Sequence, residues 1–181
     1  MQLARVFPLK PARAHEVCGA SALAFAAIAA GQARGTVAWL CESWMPAPHP
    51  EGLAPFCDPR KLLLTRAPSP ADLRAGLEEA LRAGALGLAV AEISRPLSLT
   101  EGRRLQLAAE AGRTPGLLII PEGGGSNAAE TRWRCEPVFD ARDSTRWRWS
   151  LIKNKSGTLS DWIVQWDAQA GRVSVVSEAA E

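Results

Sequence analysis

The sequence predicts an α/β protein with a mostly parallel sheet flanked by helices and an antiparallel hairpin extension at its C-terminal end. Across residues 13–121, apolar runs of strand length alternate with helical segments, as in strands joined by crossover helices. These runs lack apolar–polar alternation, which is typical of parallel strands covered on both faces. Over residues 131–177 the alternation has period two, which predicts antiparallel strands. The 181 residues suit a single domain.

Five strands are predicted in the parallel part. Ala14–Cys18 is the first, and the other four are continuous apolar runs at residues 36–41, 61–65, 87–93 and 116–121. A strand–helix–strand order of this kind favours right-handed crossovers, and therefore a parallel sheet with helices on its faces.

Three helices are predicted between these strands. The first covers the Ala-rich residues 20–33, and the third runs from Thr100 to Ala111. The second follows the N-cap residue Ser69. Its apolar face consists of Leu73, Leu77, Ala80 and Leu81, and Gly84 is its C-terminal glycine cap. The proline-rich stretch Ser43–Pro59 is predicted to be a loop.

Four strands are predicted in the C-terminal part, at residues 132–135, 146–154, 162–167 and 172–177. One strand face carries Trp147, Trp149 and Leu151, and another carries Trp162, Val164 and Trp166. We expect most of these tryptophans to pack on the core, with Arg146 and Arg148 on the solvent side. The alternative is a nucleic-acid surface, since interleaved Trp, Arg and Lys suit base stacking and phosphate contact.

Composition argues against several classes of function. The net charge of +2 is too small to indicate nucleic-acid binding by itself, and no apolar run is long enough to span a membrane. The first residues lack the apolar segment of a secretory signal, so we expect a cytoplasmic protein with reduced thiols. The candidate zinc ligands are His15, Cys41, His49 and Cys57. Their spacing is not that of a zinc site, so we expect no metal.

The turn between the first strand and the first helix is where a phosphate loop would lie, because amides at a helix start bind anions. A working P-loop needs a second glycine, then a lysine, then a serine or threonine. After Gly19, this chain has Ala24, Phe25 and Ala26 at those places. Phe25 has no charge for a phosphate, and Ala26 has no hydroxyl for Mg²⁺. We therefore expect a helix packed on a sheet, no ATP hydrolysis, no cofactor, and a Phe25 ring packed in the phosphate space or the core beside it.

Two acids follow predicted strands. A Walker-B strand ends in an acid that helps to hold Mg²⁺, and Glu92 occupies that general position. Glu42 follows the strand at residues 36–41. Taken singly, each acid is expected to be a solvated surface group. Neither His15 nor His49 has a triad motif around it, so no catalytic residue is predicted.

The order of elements from Arg13 to about Val176 resembles the RecA ATPase core. AHEVCGASALAFAAIAA is similar to its first strand, phosphate loop and helix, with Phe25 in place of the functional lysine. LEEALRAGALGLAVAEIS is similar to its Walker-B region, with Glu92 near the family aspartate. WSLIKNK is similar to the strand whose two lysines reach a neighbour's nucleotide in the RecA filament. Here those lysines are Lys153 and Lys155, which we expect to project the same way.

Within that superfamily the chain resembles the ImuA family, which is RecA-like. The phrases ARAHEVCG, LEEALRAGALGLAVAE, SLTEGRRLQLAAEAG and SNAAETRWR carry the likeness, together with the degenerate phosphate loop. The resemblance implies a non-catalytic adaptor in bacterial damage-induced mutagenesis. Such a protein works through RecA and with an ImuB-type partner and an error-prone polymerase in translesion synthesis.

Two other functions stay open. SulA, the cell-division inhibitor that binds FtsZ, is a relative of the same truncated type, and a residual nucleotide-binding switch is the third possibility. The chain also departs from RecA. It has no counterpart of the N-terminal helix before Arg13 and no RecA C-terminal domain, and the loop from Glu122 to Glu130 is short. Direct DNA binding is therefore not implied.

Overall fold

The computed structural model of the chain describes residues 1–140 and 145–178, so positions 141–144 and 179–181 of the expected domain lie outside the described residues. The described residues form one continuous nine-stranded sheet with helices on both faces. The strands are β1 (Ala14–Cys18), β2 (Val37–Glu42), β3 (Leu62–Ala67), β4 (Leu88–Glu92), β5 (Gly116–Ile119), β6 (Thr131–Pro137), β7 (Arg146–Asn154), β8 (Ser160–Asp167) and β9 (Arg172–Glu178). The helices are α1 (Ala22–Gln32), α2 (Pro50–Leu53), α3 (Pro70–Arg82) and α4 (Leu99–Gly112), with 3-10 turns at Leu3–Arg5 and Pro59–Lys61.

The order of strands across the sheet is β3-β2-β4-β5-β1-β6-β7-β8-β9. Every neighbouring pair from β3 to β6 is parallel, and the three pairs from β6 to β9 are antiparallel. The prediction of a mostly parallel sheet with antiparallel C-terminal strands is therefore confirmed. The sequence assigns β6 wholly to the antiparallel extension, and this is wrong. Because β6 pairs in parallel with β1, it joins the two parts into one sheet.

Helices cover both faces because the chain reverses its direction of travel across the sheet. It moves one way from β1 to β2, and the other way from β3 to β4 and on to β5. Right-handed crossovers then place α1 on one face and place α3 and α4 on the other. The buried residues divide in the same way, since those of α1 belong to one core cluster and those of α3 and α4 to a second.

The ends of the helices follow local capping chemistry. Ser69 accepts a hydrogen bond from the amide of Asp72 at the start of α3, as predicted. The expected start of α4 at Thr100 is slightly late, because Ser98 is its N-cap and forms a reciprocal capping box with Glu101. α1 begins at Ala22 rather than at residue 20, and the proline-rich loop contains the short helix α2.

The tryptophans of the antiparallel strands all face the α1 side of the sheet. Trp149 lies opposite Trp162 in the β7–β8 pair, and Trp147 lies opposite Val164. The prediction that these two sets occupy different faces is wrong, because directly opposed residues in an antiparallel pair share a face. All of them are buried in the α1-side core, whereas Arg148 is exposed.

The strand β3 is the exposed edge of the sheet. The sequence predicts that its apolar run is covered on both faces, but Leu63 is 57% exposed and Leu64 is 43% exposed. Since β3 lies at the end of the strand order, it pairs with β2 alone. Periodicity cannot distinguish such an edge strand from a central one.

Candidate partner-contact site

The turn between β1 and α1 is closed by the neighbouring strand β6. Gly19 has a φ of +96°, and a Cβ atom at this position would lie 2.5 Å from the carbonyl oxygen of Cys135 and 2.5 Å from Oε1 of Glu136. The amide of Ser21 donates a hydrogen bond to that same carbonyl at 3.0 Å. One of the amides at the start of α1 therefore already has a backbone partner.

Charged side chains also lie at this turn, with Arg134 beside Cys18 and Glu136 beside Gly19. The carboxylate of Glu136 lies against Gly19, next to the N-terminal end of α1. A carboxylate there is favourable for the helix, because the N-terminus of a helix carries partial positive charge. A phosphate in the same place would meet a like charge at short range.

The ring of Phe25 points into the core. Phe25 is fully buried, and its ring centroid lies 4.6 Å from that of Trp149, 5.4 Å from that of Trp133 and 5.5 Å from that of Phe7. Ala26 is buried as well, and Ala24 is half-buried. Phe25 and Ala26 thus serve as packing residues between α1 and the aromatic strands.

Both acids at the strand ends are buried, which contradicts the expectation of solvated surface groups. Glu92 accepts a hydrogen bond from the indole Nε1 of Trp39 at 2.8 Å. Burial raises the pKa of Glu92, and the bond from Trp39 opposes this rise. Glu42 accepts a bond from the hydroxyl of Ser94 at 2.8 Å, while its Oε2 has no hydrogen-bond partner in the described part of the chain. Glu92 therefore holds the indole of a core tryptophan at the carboxyl end of β4.

Lys153 and Lys155 project the same way from the end of β7 and contact the segment that precedes β6. Lys153 donates to the carbonyl of Ala129, and Lys155 donates to the carbonyl of Ala128 at 2.7 Å. Burial lowers the pKa of Lys153, and the nearby charges of Lys155 and Arg132 lower it further. An ammonium group has three donors, so each lysine keeps donors for another acceptor.

The segment 120–130 explains why these lysines have carbonyls to bind. It connects the carboxyl end of β5 to the amino end of β6, which is parallel to β1, and it makes this crossover without a helix. Its amides and carbonyls cannot satisfy one another as they would in a helix, and buried ones need other partners. The lysine bonds to Ala128 and Ala129 supply two of those partners.

A buried ion pair beneath this crossover supplies further hydrogen-bond partners for its backbone. Glu16 in β1 accepts the amide of Ser126 at 2.7 Å and the Nε of Arg132 at 2.8 Å, while Arg132 donates to the carbonyl of Ser126 at 3.1 Å. Gly125 has a φ of +126°, and a Cβ there would overlap the Arg132 guanidinium. This pair was not predicted from the sequence, although an acid inside a predicted strand was an available signal.

His15 is a structural histidine rather than a free base. Its Nδ1 lies 2.7 Å from Oγ1 of Thr131, and its Nε2 lies 3.0 Å from the carbonyl of Lys10. Burial lowers the pKa of His15 to about 4, so the ring is neutral near pH 7. The same Thr131 hydroxyl accepts a bond from the indole of Trp133, which ties His15 to the aromatic core.

The predicted site residues lie at two opposite ends of the strands. The turn at Gly19 contacts Cys135 and Glu136 near the end of β6, whereas Lys153 pairs with Arg132 near its beginning. Four residues of strand separate these places, which is roughly 13 Å. The lysine pair therefore does not face the chain's own β1–α1 turn. Glu92, at the carboxyl end of β4, lies on the same end of the sheet as the Gly19 turn, two strands away from β1.

All four cysteines are buried free thiols. Burial raises the pKa of each of them. Within residues 1–140 and 145–178, no group of three His, Cys, Asp or Glu side chains is placed to hold a metal ion. In the same part of the chain, no helix combines the length and apolar character needed to cross a membrane.

No protein-family model matches the chain, and no curated protein sequence matches it.

Proposed function

We propose that this protein is a non-catalytic, RecA-like adaptor of the bacterial DNA-damage response. In this proposal it acts in the cytoplasm and supports error-prone translesion synthesis through contacts with RecA and an ImuB-type partner. The observation that carries the proposal is the closed β1–α1 turn combined with a lysine pair at the opposite end of the strands. The architecture, a parallel core extended by antiparallel strands, agrees with the RecA resemblance of the sequence.

The closed turn supports the non-catalytic part of the proposal. Cys135 and Glu136 occupy the space that a phosphate would use, and the carbonyl of Cys135 already accepts the amide of Ser21. The ring of Phe25 packs in the core. We expect Mg-ATP to bind weakly or not at all, since the lysine and the hydroxyl that hold phosphate and Mg²⁺ are both replaced. Isothermal calorimetry with Mg-ATP is the measurement, and a low-micromolar dissociation constant would favour a nucleotide switch instead. Phe25→Lys should not restore turnover, because Ala24 and Ala26 remain.

The lysine pair supports the contact with RecA. In the RecA filament the corresponding lysines of one subunit reach the nucleotide of the next. This chain keeps the donating side in Lys153 and Lys155 and lacks the receiving side. It would therefore complete the last ATP site at one end of a RecA filament, and it would hold no ATP for a further subunit. Two ammonium groups near a γ-phosphate stabilise negative charge in a partly dry interface.

The test is ATP hydrolysis by RecA on single-stranded DNA, with and without this protein. We expect the wild type to change the hydrolysis rate or the filament lifetime, and the Lys153→Ala, Lys155→Ala double variant to lose this effect. The Arg60→Ala, Lys61→Ala double variant is a matched control, because it removes two exposed cations next to the distant edge strand β3. If the lysine variant acts as well as the wild type, end-capping is wrong.

The lysines also bind carbonyls of the 120–130 crossover, and this structural role needs its own readout. The melting temperature of the double variant measures it. A variant that keeps its melting temperature and still binds RecA, but no longer alters hydrolysis, assigns the lysines to the partner's nucleotide. A variant that only melts earlier assigns them to the crossover.

A SulA-like division inhibitor is the alternative, because SulA is a relative of the same truncated type. A pull-down with purified RecA, an ImuB-type protein and FtsZ separates the two functions. The adaptor proposal expects capture of the first two proteins, and capture of FtsZ alone would replace it with division arrest.

A further inference from the structure

The helix α4 carries a second apolar stripe that faces away from the core. Its inner stripe is Gly102, Leu105, Ala108 and Ala109, all of which are buried. On its outer side, Leu99 is 47% exposed and Leu107 is 63% exposed. These two leucines are eight residues apart, so they lie on one side of the helix at a separation of about 12 Å. A surface helix needs one apolar stripe for its own packing, and the outer stripe exceeds that need.

The outer stripe forms one wall of a groove of about 420 Å³. The opposite wall comes from the 120–130 crossover, at Asn127 and Ala128, and from Lys155. Lys155 is held over the groove by its bond to the carbonyl of Ala128. A groove of this size falls within the range of about 300–1,000 Å³ that is typical of ligand sites.

The charges around this groove are unbalanced. The acids near it already have basic partners within the chain: Glu101 with Arg74, Glu110 with Arg13, Glu130 with Lys10, and Glu78 with Arg104. Arg103 and Lys155, which line the groove, have no carboxylate within ion-pair distance among the described residues. The groove thus combines apolar anchor positions with two unpaired cations.

We propose that this groove docks an acidic amphipathic helix of a partner protein. Leu99 and Leu107 would contact apolar side chains seven or eight residues apart on that helix, and Arg103 would bind a carboxylate beside them, with Lys155 adding to the positive potential of the groove. The inference goes beyond the proposed function and does not depend on which protein supplies the helix. A nucleic acid fits less well, because none of the described residues that line the groove is aromatic and could stack a base, and exposed leucines offer nothing to phosphates.

The probe is a fluorescent synthetic peptide of about 16 residues, with leucine at every third or fourth position and glutamate elsewhere. Fluorescence anisotropy measures its binding to the full chain. A second peptide with lysine in place of glutamate, and a labelled oligothymidine, test charge and chemistry. We expect the glutamate peptide to bind, the lysine peptide not to bind, and added salt to weaken the binding.

Leu107→Ser and Arg103→Glu should each raise the dissociation constant of the glutamate peptide by about tenfold or more. A tenfold change corresponds to about 1.4 kcal/mol. Leu63→Ser is the matched control, because Leu63 is 57% exposed and lies on the distant edge strand β3. Both leucine variants change exposed residues, so circular dichroism should show unchanged folding. No binding by the wild type, equal binding of the lysine peptide, or equal binding by the groove variants would overturn the proposal. Oligothymidine binding that the groove variants abolish would replace the helix with a nucleic acid.

Discussion

The two faces of the sheet are built from different side chains. The α1 side buries large aromatic residues, with Phe25, Trp39, Trp133, Trp149 and Trp162 all almost completely inaccessible. Among the described residues, the core on the α3–α4 side is aliphatic, and much of it is alanine: Ala38, Ala89, Ala91, Ala108 and Ala109. Small residues allow α3 and α4 to approach the sheet closely. On the other side, large rings from the strands pack beneath α1 and the N-terminal segment.

This difference explains why a phenylalanine suits residue 25. β6 and β7 bring Trp133 and Trp149 beneath α1, and Phe25 is the α1 residue that contacts their rings. A lysine at residue 25 would bury a charge among those rings without a partner, which is costly. The aromatic face and a phosphate-binding lysine are therefore incompatible in this arrangement.

The largest effect should come from removing the ring that joins α1 to the aromatic strands. We expect Phe25→Ala to lower the free energy of unfolding by about 3–5 kcal/mol, because the ring is fully buried and leaves a cavity. Denaturant unfolding followed by tryptophan fluorescence measures the change. Leu77→Ala, a fully buried site on the aliphatic face, is the comparison and should cost about 2–5 kcal/mol. An unchanged stability of Phe25→Ala would place the ring at the surface and contradict the packing described above.

A second effect concerns the polar group buried on the α4 side. Arg132→Met should destabilise the protein by about 3 kcal/mol, because it leaves the carboxylate of Glu16 buried without its cation. The double variant Glu16→Gln, Arg132→Met should recover part of that loss, since the glutamine carbonyl still accepts the amide of Ser126. Chemical denaturation of the three proteins gives the coupling. Equal stability of Arg132→Met and wild type would show that the pair contributes nothing.

A smaller effect, dependent on pH, belongs to the α1 side. The pKa of His15 is about 4 in the folded protein and 6.5 for an ordinary histidine. Between these pH values, His15 is protonated in the unfolded chain and neutral in the folded chain. Stability from the neutral ring is complete above pH 6.5 and falls as the pH drops towards about 4. The loss should not exceed roughly 3.5 kcal/mol, since the pKa shift is about 2.5 units and each unit corresponds to 1.36 kcal/mol.

Unfolding of wild type and His15→Gln between pH 7 and pH 4 measures this loss, as a difference in slope. His49→Gln is the control, because His49 is exposed. We expect the His49 variant to keep the wild-type pH dependence and the His15 variant to have a shallower one. Parallel curves for all three proteins would contradict the assignment to His15.

Local sequence was sufficient for much of the fold. The first strand was predicted with its observed bounds, and the remaining strands to within a few residues, because buried apolar runs and period-two alternation are local signals. Ser69 identified the start of α3 for the same reason. The candidate site was only partly predictable. The residues at the β1–α1 turn and the two lysines could be named, but Glu16, Arg132 and Glu136 could not, since their partners are distant in sequence.

By itself, the sequence determined the alternating elements, the missing lysine and hydroxyl after Gly19, and the pair Lys153 and Lys155 on one side of a strand. Only the tertiary structure decided that β6 joins β1 in parallel, that Glu42 and Glu92 are buried, and that the lysines bind the 120–130 crossover. The reason is physical. Periodicity and capping depend on neighbours within a few residues, whereas burial, edge position and ion pairing depend on which distant strands become neighbours in the sheet.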